Sequence, residues 1–174
     1  MTTTPSPRLV SDLWTTEVSP ETYGSKEQYY QHVFEQYKIF IEMADRVSAR
    51  RNLANTFFLT LHTLLISVAT FAYEKGLVAS KQWLIIFPLF AVLALCFVWW
   101  RLVHSYRQLN TAKYQVIGEY EKALPSSPYF RAEWSTLGRG TNKRLYWPLT
   151  DAENIVPVIF AILYVFAAGV ITFL

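Results

Sequence analysis

Three long segments without a charged residue constrain this chain most strongly. Residues 56–73, 83–100 and 155–174 contain no Asp, Glu, Lys or Arg. At ~1.5 Å per residue, each segment makes a helix of roughly 27 to 30 Å, which matches the hydrocarbon thickness of a bilayer. Hydrophobic residues make up 52% of the 174 residues, a high share for a soluble protein. The sequence therefore predicts an all-α membrane protein with three transmembrane helices.

The distribution of basic residues predicts the orientation of these spans. Of the 16 Lys and Arg residues, 6 precede the first span, 2 lie between the first and second, and 8 lie between the second and third. Basic residues accumulate in the cytoplasmic loops of membrane proteins. We therefore expect the N-terminus and the long connection in the cytoplasm, and the C-terminus on the opposite side.

The remaining segments predict a domain organisation. Residues 1–24 are rich in Thr, Ser and Pro and are expected to form a mobile tail. Residues 25–55 are predicted to form a cytoplasmic helix that begins with a capping box of Ser25 and Gln28. A transmembrane hairpin spans residues 56–100, and residues 101–154 are predicted to form a second cytoplasmic helix and an irregular subdomain. Apolar residues at helical spacing predict that the cytoplasmic extensions of spans one and two pack as an antiparallel stalk.

A row of hydroxyl groups follows the first span at alternating intervals of four and three residues. At 3.6 residues per turn, the five side chains lie within about 80° of one another on the helix. The row, called the polar seam below, consists of Thr56, Thr60, Thr63, Ser67 and Thr70. Such a seam favours close packing against a neighbouring helix, or it lines a wetted passage.

His62 is grouped with the polar seam as a candidate interface or pore-lining residue, although it lies roughly 100° away from the seam at 3.6 residues per turn. An ionisable group inside a membrane is costly unless it is neutral and partnered. We expect either a neutral imidazole that is hydrogen-bonded across a subunit interface or a proton-sensitive contact.

Basic and aromatic residues at the ends of the spans are candidate membrane-interface anchors, because such side chains favour the headgroup region. They are Arg46, Arg50, Arg51, Arg101, Trp83, Trp99 and Trp100.

The loop "GRGTNKR" offers a candidate anion contact through Arg139, Lys143 and Arg144. It lacks the Gly-Lys-Ser/Thr ending of a phosphate-binding P-loop. Proximity to anionic lipid is an alternative reason for its charge.

The sequence carries no motif of a known catalytic class. Its three histidines, His32, His62 and His104, lie on different segments, and no HExxH or CxxC motif occurs. The single cysteine, Cys96, has no partner for a disulfide within the chain. We expect no catalytic residue, cofactor or metal site. A net charge of +3 placed beside the membrane gives no support to nucleic-acid binding.

Three blocks resemble the RipA family of octameric bacterial membrane proteins. They are "EMADRVSARRNLANTFFLT", "SYRQLNTAKYQVIGEYEKALPSSPYFRAEWSTLGRG" and "YWPLTDAENIVPVIF". The resemblance implies an inner-membrane protein that assembles as an octamer, has a cytoplasmic domain and carries no established enzymatic activity. The partners implied are membrane lipids and further copies of the same chain.

Two functional hypotheses follow from these observations. The first is a homo-oligomeric ring in the inner membrane that acts as a scaffold or a channel. The second is a membrane effector or sensor of a bacterial defence or stress system, which changes membrane permeability when a ligand or partner binds its cytoplasmic region.

Overall fold

A computed structural model of the protein describes residues 7–76, 83–142 and 144–173, and these residues form helices without a β-strand. The elements are α1 (Pro7–Leu13), α2 (Lys26–Glu74), α3 (Trp83–Lys122), a π-helical turn (Pro128–Glu133), α4 (Trp134–Thr136), a 3-10 turn (Gly138–Gly140) and α5 (Leu149–Phe173). The predicted all-α fold is confirmed.

Three helices within the described residues are long and apolar enough to cross a membrane: Lys26–Glu74, Ile86–Lys122 and Asp151–Ile171. The protein is thus a multi-pass membrane protein. The first two helices extend well beyond the charge-free segments. The absence of charged residues marks only the part of a helix that can lie in the hydrocarbon core of a bilayer. Helix α2 begins as predicted, since the Gln28 backbone N–H donates to Ser25 Oγ at 3.1 Å.

The chain divides into two compact units. Unit 1 comprises Met1–Ala49 and Arg107–Pro148, and unit 2 comprises Arg50–Tyr106 and Leu149–Leu174. Unit 2 contains the apolar segments of all three long helices.

Unit 1 is built around a core shared by α2 and α3. Its buried members are Val33, Tyr37, Ala44, Ile117 and Tyr120. The two helices are antiparallel here. Gln36 on α2 is hydrogen-bonded to Tyr120 on α3, and Ser48, further along α2, is hydrogen-bonded to Asn110, which comes earlier on α3. That the cytoplasmic extensions of spans one and two form a stalk beneath the membrane stays a prediction.

The segment predicted as a mobile tail contributes to this core. It contains the short helix α1, and the Trp14 ring meets the Tyr120 ring edge-on at 5.6 Å between centroids. Trp14 is partly buried there, and even partial burial of an indole removes a large apolar surface from water. Composition alone did not indicate this anchor point.

Unit 2 is built around aromatic residues contributed by all three spans. Phe58, Trp99 and Val103 are buried together, with Val156 and Phe160 of α5 packed against them. At the start of α5, Glu153 forms an ion pair with Arg51 at 3.4 Å between Oε2 and Nε. The Arg51 Nε and Glu153 Oε2 atoms are buried without an aligned hydrogen bond, so this pair is held by charge and not by directional bonding.

Candidate functional site in the membrane unit

All five side chains of the polar seam are exposed on unit 2. Four of the hydroxyls donate to the backbone carbonyl four residues earlier: Thr56 to Asn52 at 3.0 Å, Thr63 to Leu59 at 2.8 Å, Ser67 to Thr63 at 3.0 Å and Thr70 to Ile66 at 3.0 Å. Four of the five seam donors are thus satisfied within α2. It leaves hydroxyl oxygens on an outward face of the protomer.

The structure separates His62 from this seam. His62 is 0% exposed, whereas the five hydroxyl residues are exposed. Its Nδ1 atom lies 2.9 Å from the Tyr164 hydroxyl, which also approaches the His62 carbonyl oxygen at 3.4 Å. Its Nε2 atom faces the Cys96 sulfur at 3.9 Å. The imidazole therefore finds partners on α3 and α5 of its own chain.

Aromatic rings enclose the imidazole. The Trp99 ring stacks on it with centroids 5.6 Å apart and planes at 18°, and the Phe160 ring lies 5.1 Å away. The Trp99 ring also stacks on Phe58 with centroids 5.6 Å apart, and its indole N–H donates to Asn55 Oδ1 at 2.9 Å. His62 is therefore packed among aromatic rings, with no exposed surface.

Trp99 differs from its predicted role as an interface anchor. It is 2% exposed, because the Asn55 amide provides a partner for its indole N–H inside unit 2. Trp100 is 37% exposed and stacks on His104 at 5.7 Å between centroids. The side chain of Trp83 lies outside the described residues.

The candidate basic anchors occupy different environments. Arg50 and Arg101 are exposed. Arg46 is exposed as well and binds Glu42 at 2.6 Å, one helical turn earlier. Arg51 is largely enclosed by its ion pair with Glu153.

The candidate anion loop contains a cluster of left-handed backbone conformations. Gly138 and Gly140 have φ of 65° and 69°, and Arg139 between them has φ of 53°. Arg139 and Arg144 are exposed, and the Arg144 backbone N–H donates to Asn142 Oδ1 at 3.0 Å. Lys143 lies outside the described residues. Two of the three predicted side chains are thus outward-facing on one short loop.

A buried carboxylate in unit 1 was missed at the sequence level. Glu121 is 2% exposed and accepts four hydrogen bonds, from the Tyr37 and Ser127 hydroxyls at 3.1 and 2.5 Å and from the backbone N–H groups of Tyr129 and Phe130 at 3.0 and 2.9 Å. Both backbone donors belong to the first turn of the π-helical segment, where N–H groups need partners. The only sequence signal was an acidic residue shortly before two prolines.

Across the described residues, no three or more His, Cys, Asp or Glu side chains converge in a way that could hold a metal ion. Residues 34–173 match the sequence profile of the Octameric membrane protein family (8xMP). No curated protein and no solved structure matches the chain.

Proposed function

The chain belongs to the Octameric membrane protein family, and we propose that it works as a homo-oligomeric ring that acts as a scaffold in the bacterial inner membrane. The name of the family describes self-association into an assembly of eight subunits. The narrower RipA resemblance fits this family.

The observation that carries the proposal is the outward polar seam of α2. All five residues are exposed on the protomer. Four of them donate within α2, but their oxygen atoms keep acceptor lone pairs that lipid tails cannot satisfy. Small hydroxylated residues allow close helix approach within membranes. A second copy of the chain that covers this face would remove it from lipid, so we assign the seam to the interface between subunits.

A second candidate is a conducting lumen. Four seam hydroxyls use their protons within α2, so the oxygen atoms offer acceptor lone pairs outward. A ring of eight such faces would present acceptors to water and cations.

Thr63→Leu and Ser67→Leu distinguish the two candidates. In a packed interface, both changes shift the oligomer size measured by native mass spectrometry and leave liposomes sealed. In a wet lumen, both change ion flux through reconstituted protein while the oligomer size holds. The matched control is Val68→Leu, which enlarges an exposed side chain beside the seam. Normal assembly and unchanged flux in both seam variants would contradict both roles.

The orientation and the lipid contacts belong to the same proposal. With 14 of the 16 basic residues (6 + 8) outside the hairpin, the N-terminus and the connection 101–154 face the cytoplasm and the C-terminus faces the periplasm. Arg50, Arg101 and Trp100 then contact headgroups. A reporter that is active only in the periplasm should be active when fused to the C-terminus, and activity of the same reporter at the N-terminus would reverse the topology.

We propose further that the protein works by assembly and not by catalysing a reaction. The three histidines lie on separate parts of the chain, and the one histidine within the membrane segment is enclosed by its own helices.

A further inference from the structure

One loop of unit 1, just before α5, exposes apolar side chains next to basic ones. Leu145 and Trp147 are 58% and 59% exposed, although both are large apolar residues. Arg139 and Arg144 on the same loop are exposed as well. In the sequence, residues 134–150 include three basic residues and no Asp or Glu. These four exposed residues, called the docking patch below, combine uncovered apolar surface with positive charge.

The loop holds the docking patch together through its own contacts. Asn142 Oδ1 accepts a hydrogen bond from the Arg144 backbone N–H at 3.0 Å, and the Asn142 carbonyl oxygen accepts one from the Leu145 N–H at 3.0 Å. A Cβ on Gly138 would lie 3.2 Å from Leu145 Cδ2, so the two ends of the loop are in contact. Arg139 and Arg144 each stand next to one of these ends, and the fold of the loop therefore brings them together.

The chain ties the docking patch to the membrane. Pro148 is followed directly by α5, one of the helices long and apolar enough to cross a bilayer. Trp147 precedes Ile155, where the charge-free segment begins, by eight positions. With two steps of at most ~3.8 Å and six helical steps of ~1.5 Å, Trp147 lies within about 17 Å of Ile155. The headgroup layer starts where the hydrocarbon ends, so the docking patch is within reach of it.

Charge and exposed apolar surface together select the occupant of the docking patch. A free anion would pair with the guanidinium groups but would leave Leu145 and Trp147 in water. Tryptophan favours the membrane interface, and basic residues beside a membrane attract anionic phospholipids. We propose that the docking patch binds the anionic phospholipid surface of the bilayer, with Arg139 and Arg144 on the phosphate groups and Leu145 and Trp147 within the headgroup layer. This site does not rest on the ring proposed above.

The test places a fluorophore in the docking patch of the full-length protein. Cys96→Ala removes the native thiol, and Trp147→Cys accepts an environment-sensitive label whose apolar ring stands where the indole stood. The labelled protein is reconstituted into nanodiscs of phosphatidylcholine, with or without phosphatidylglycerol. We expect a blue-shifted emission, and quenching by lipids that carry a spin label on the headgroup, only when phosphatidylglycerol is present. High salt should reverse both changes, because it screens exposed charges.

Arg139→Asn and Arg144→Gln test the basic half of the docking patch. Asparagine is chosen at position 139 because it tolerates the positive φ of 53° found there. Each variant should lower the ratio of membrane-bound to free loop by about 5-fold, as expected for the loss of one basic residue at an anionic surface. Arg131→Gln is the matched control, since it removes an exposed arginine from the π-helical turn of the same unit. It should leave the ratio unchanged.

Three results would overturn the lipid site. They are equal emission in both kinds of nanodisc, an equal loss of binding in Arg131→Gln, and the same response to inorganic phosphate in nanodiscs without phosphatidylglycerol, which would indicate a site for free anions. Native mass spectrometry of each variant measures the oligomer size. Failure of the lipid site is thereby distinguished from failure of the proposed ring.

Discussion

Glu121 in unit 1 and His62 in unit 2 are both buried, and the two units satisfy these side chains by different means. In unit 1, the Glu121 carboxylate receives four hydrogen bonds, two of them from backbone N–H groups. In unit 2, the His62 ring receives one close hydrogen-bonding partner and lies among aromatic faces. A carboxylate accepts hydrogen bonds and needs many donors, whereas a neutral imidazole can share a chamber with apolar rings. Hydrogen bonds therefore stabilise the buried Glu121 in unit 1, whereas packing against aromatic rings stabilises the buried His62 in unit 2.

Glu121→Leu is expected to have the largest effect on stability. The substitution leaves the Tyr37 and Ser127 hydroxyls and two backbone N–H groups without their acceptor. Loss of one member of a buried polar cluster costs about 3–5 kcal/mol, and we expect a drop of this size in the unfolding free energy of unit 1. Denaturant unfolding followed by tryptophan fluorescence measures it. Glu133→Leu places the same side chain at an exposed position of the π-helical turn and should be nearly neutral. Equal effects of the two variants would contradict the role of Glu121.

A smaller loss is expected for Gly118→Ala. A Cβ at this buried position would lie 2.6 Å from the Phe130 ring, and the Phe130 backbone N–H is one of the Glu121 donors. Overpacking costs about 1–3 kcal/mol and outweighs the helix propensity gained. Gly169→Ala is the control, because nothing lies within 4 Å of a Cβ built there. Thermal unfolding midpoints should fall for the first variant only, and an unchanged midpoint for Gly118→Ala would show that the Phe130 ring moves freely.

Tyr37→Phe removes one of the four donors and should cost about 1 kcal/mol at neutral pH. Burial and the neighbouring Glu121 carboxylate raise the pKa of the Tyr37 phenol above its ordinary value of 10. A raised pKa in the folded state means that this contribution is complete below pH 10 and declines as the pH rises above it. Stability measured from pH 8 to 11 should therefore fall less steeply in Tyr37→Phe. A parallel pH profile for both proteins would show that the phenol is not held neutral by the fold.

The smallest effect is expected for the hydrogen bond between His62 and Tyr164 in unit 2. A double-mutant cycle of His62→Phe and Tyr164→Phe keeps aromatic rings at both positions and isolates the contact between Nδ1 and the hydroxyl. Side-chain hydrogen bonds within membranes contribute about 0.6 kcal/mol on average, and we expect a coupling near this value. Unfolding of the oligomer in mixed micelles measures it. A coupling energy as large as the stability loss in Glu121→Leu would show that His62 depends on hydrogen bonding as strongly as Glu121 does.

The sequence by itself determined the helical class, the three spans and the spacing that gathers the hydroxyls of α2. These features are periodic or continuous along the chain, so each can be seen in a single window of residues. The Ser25 cap of α2 is local in the same way, and its predicted bond is present.

Only the tertiary structure decided which polar groups meet. His62 and Tyr164 are 102 residues apart, and Tyr37 and Glu121 are 84 apart. No local pattern indicates that Trp99 lies inside unit 2 with Asn55, or that Cys96 faces His62. Contacts of this kind depend on how helices rotate against one another to exclude water and lipid, and that rotation is set by the packing of the whole unit.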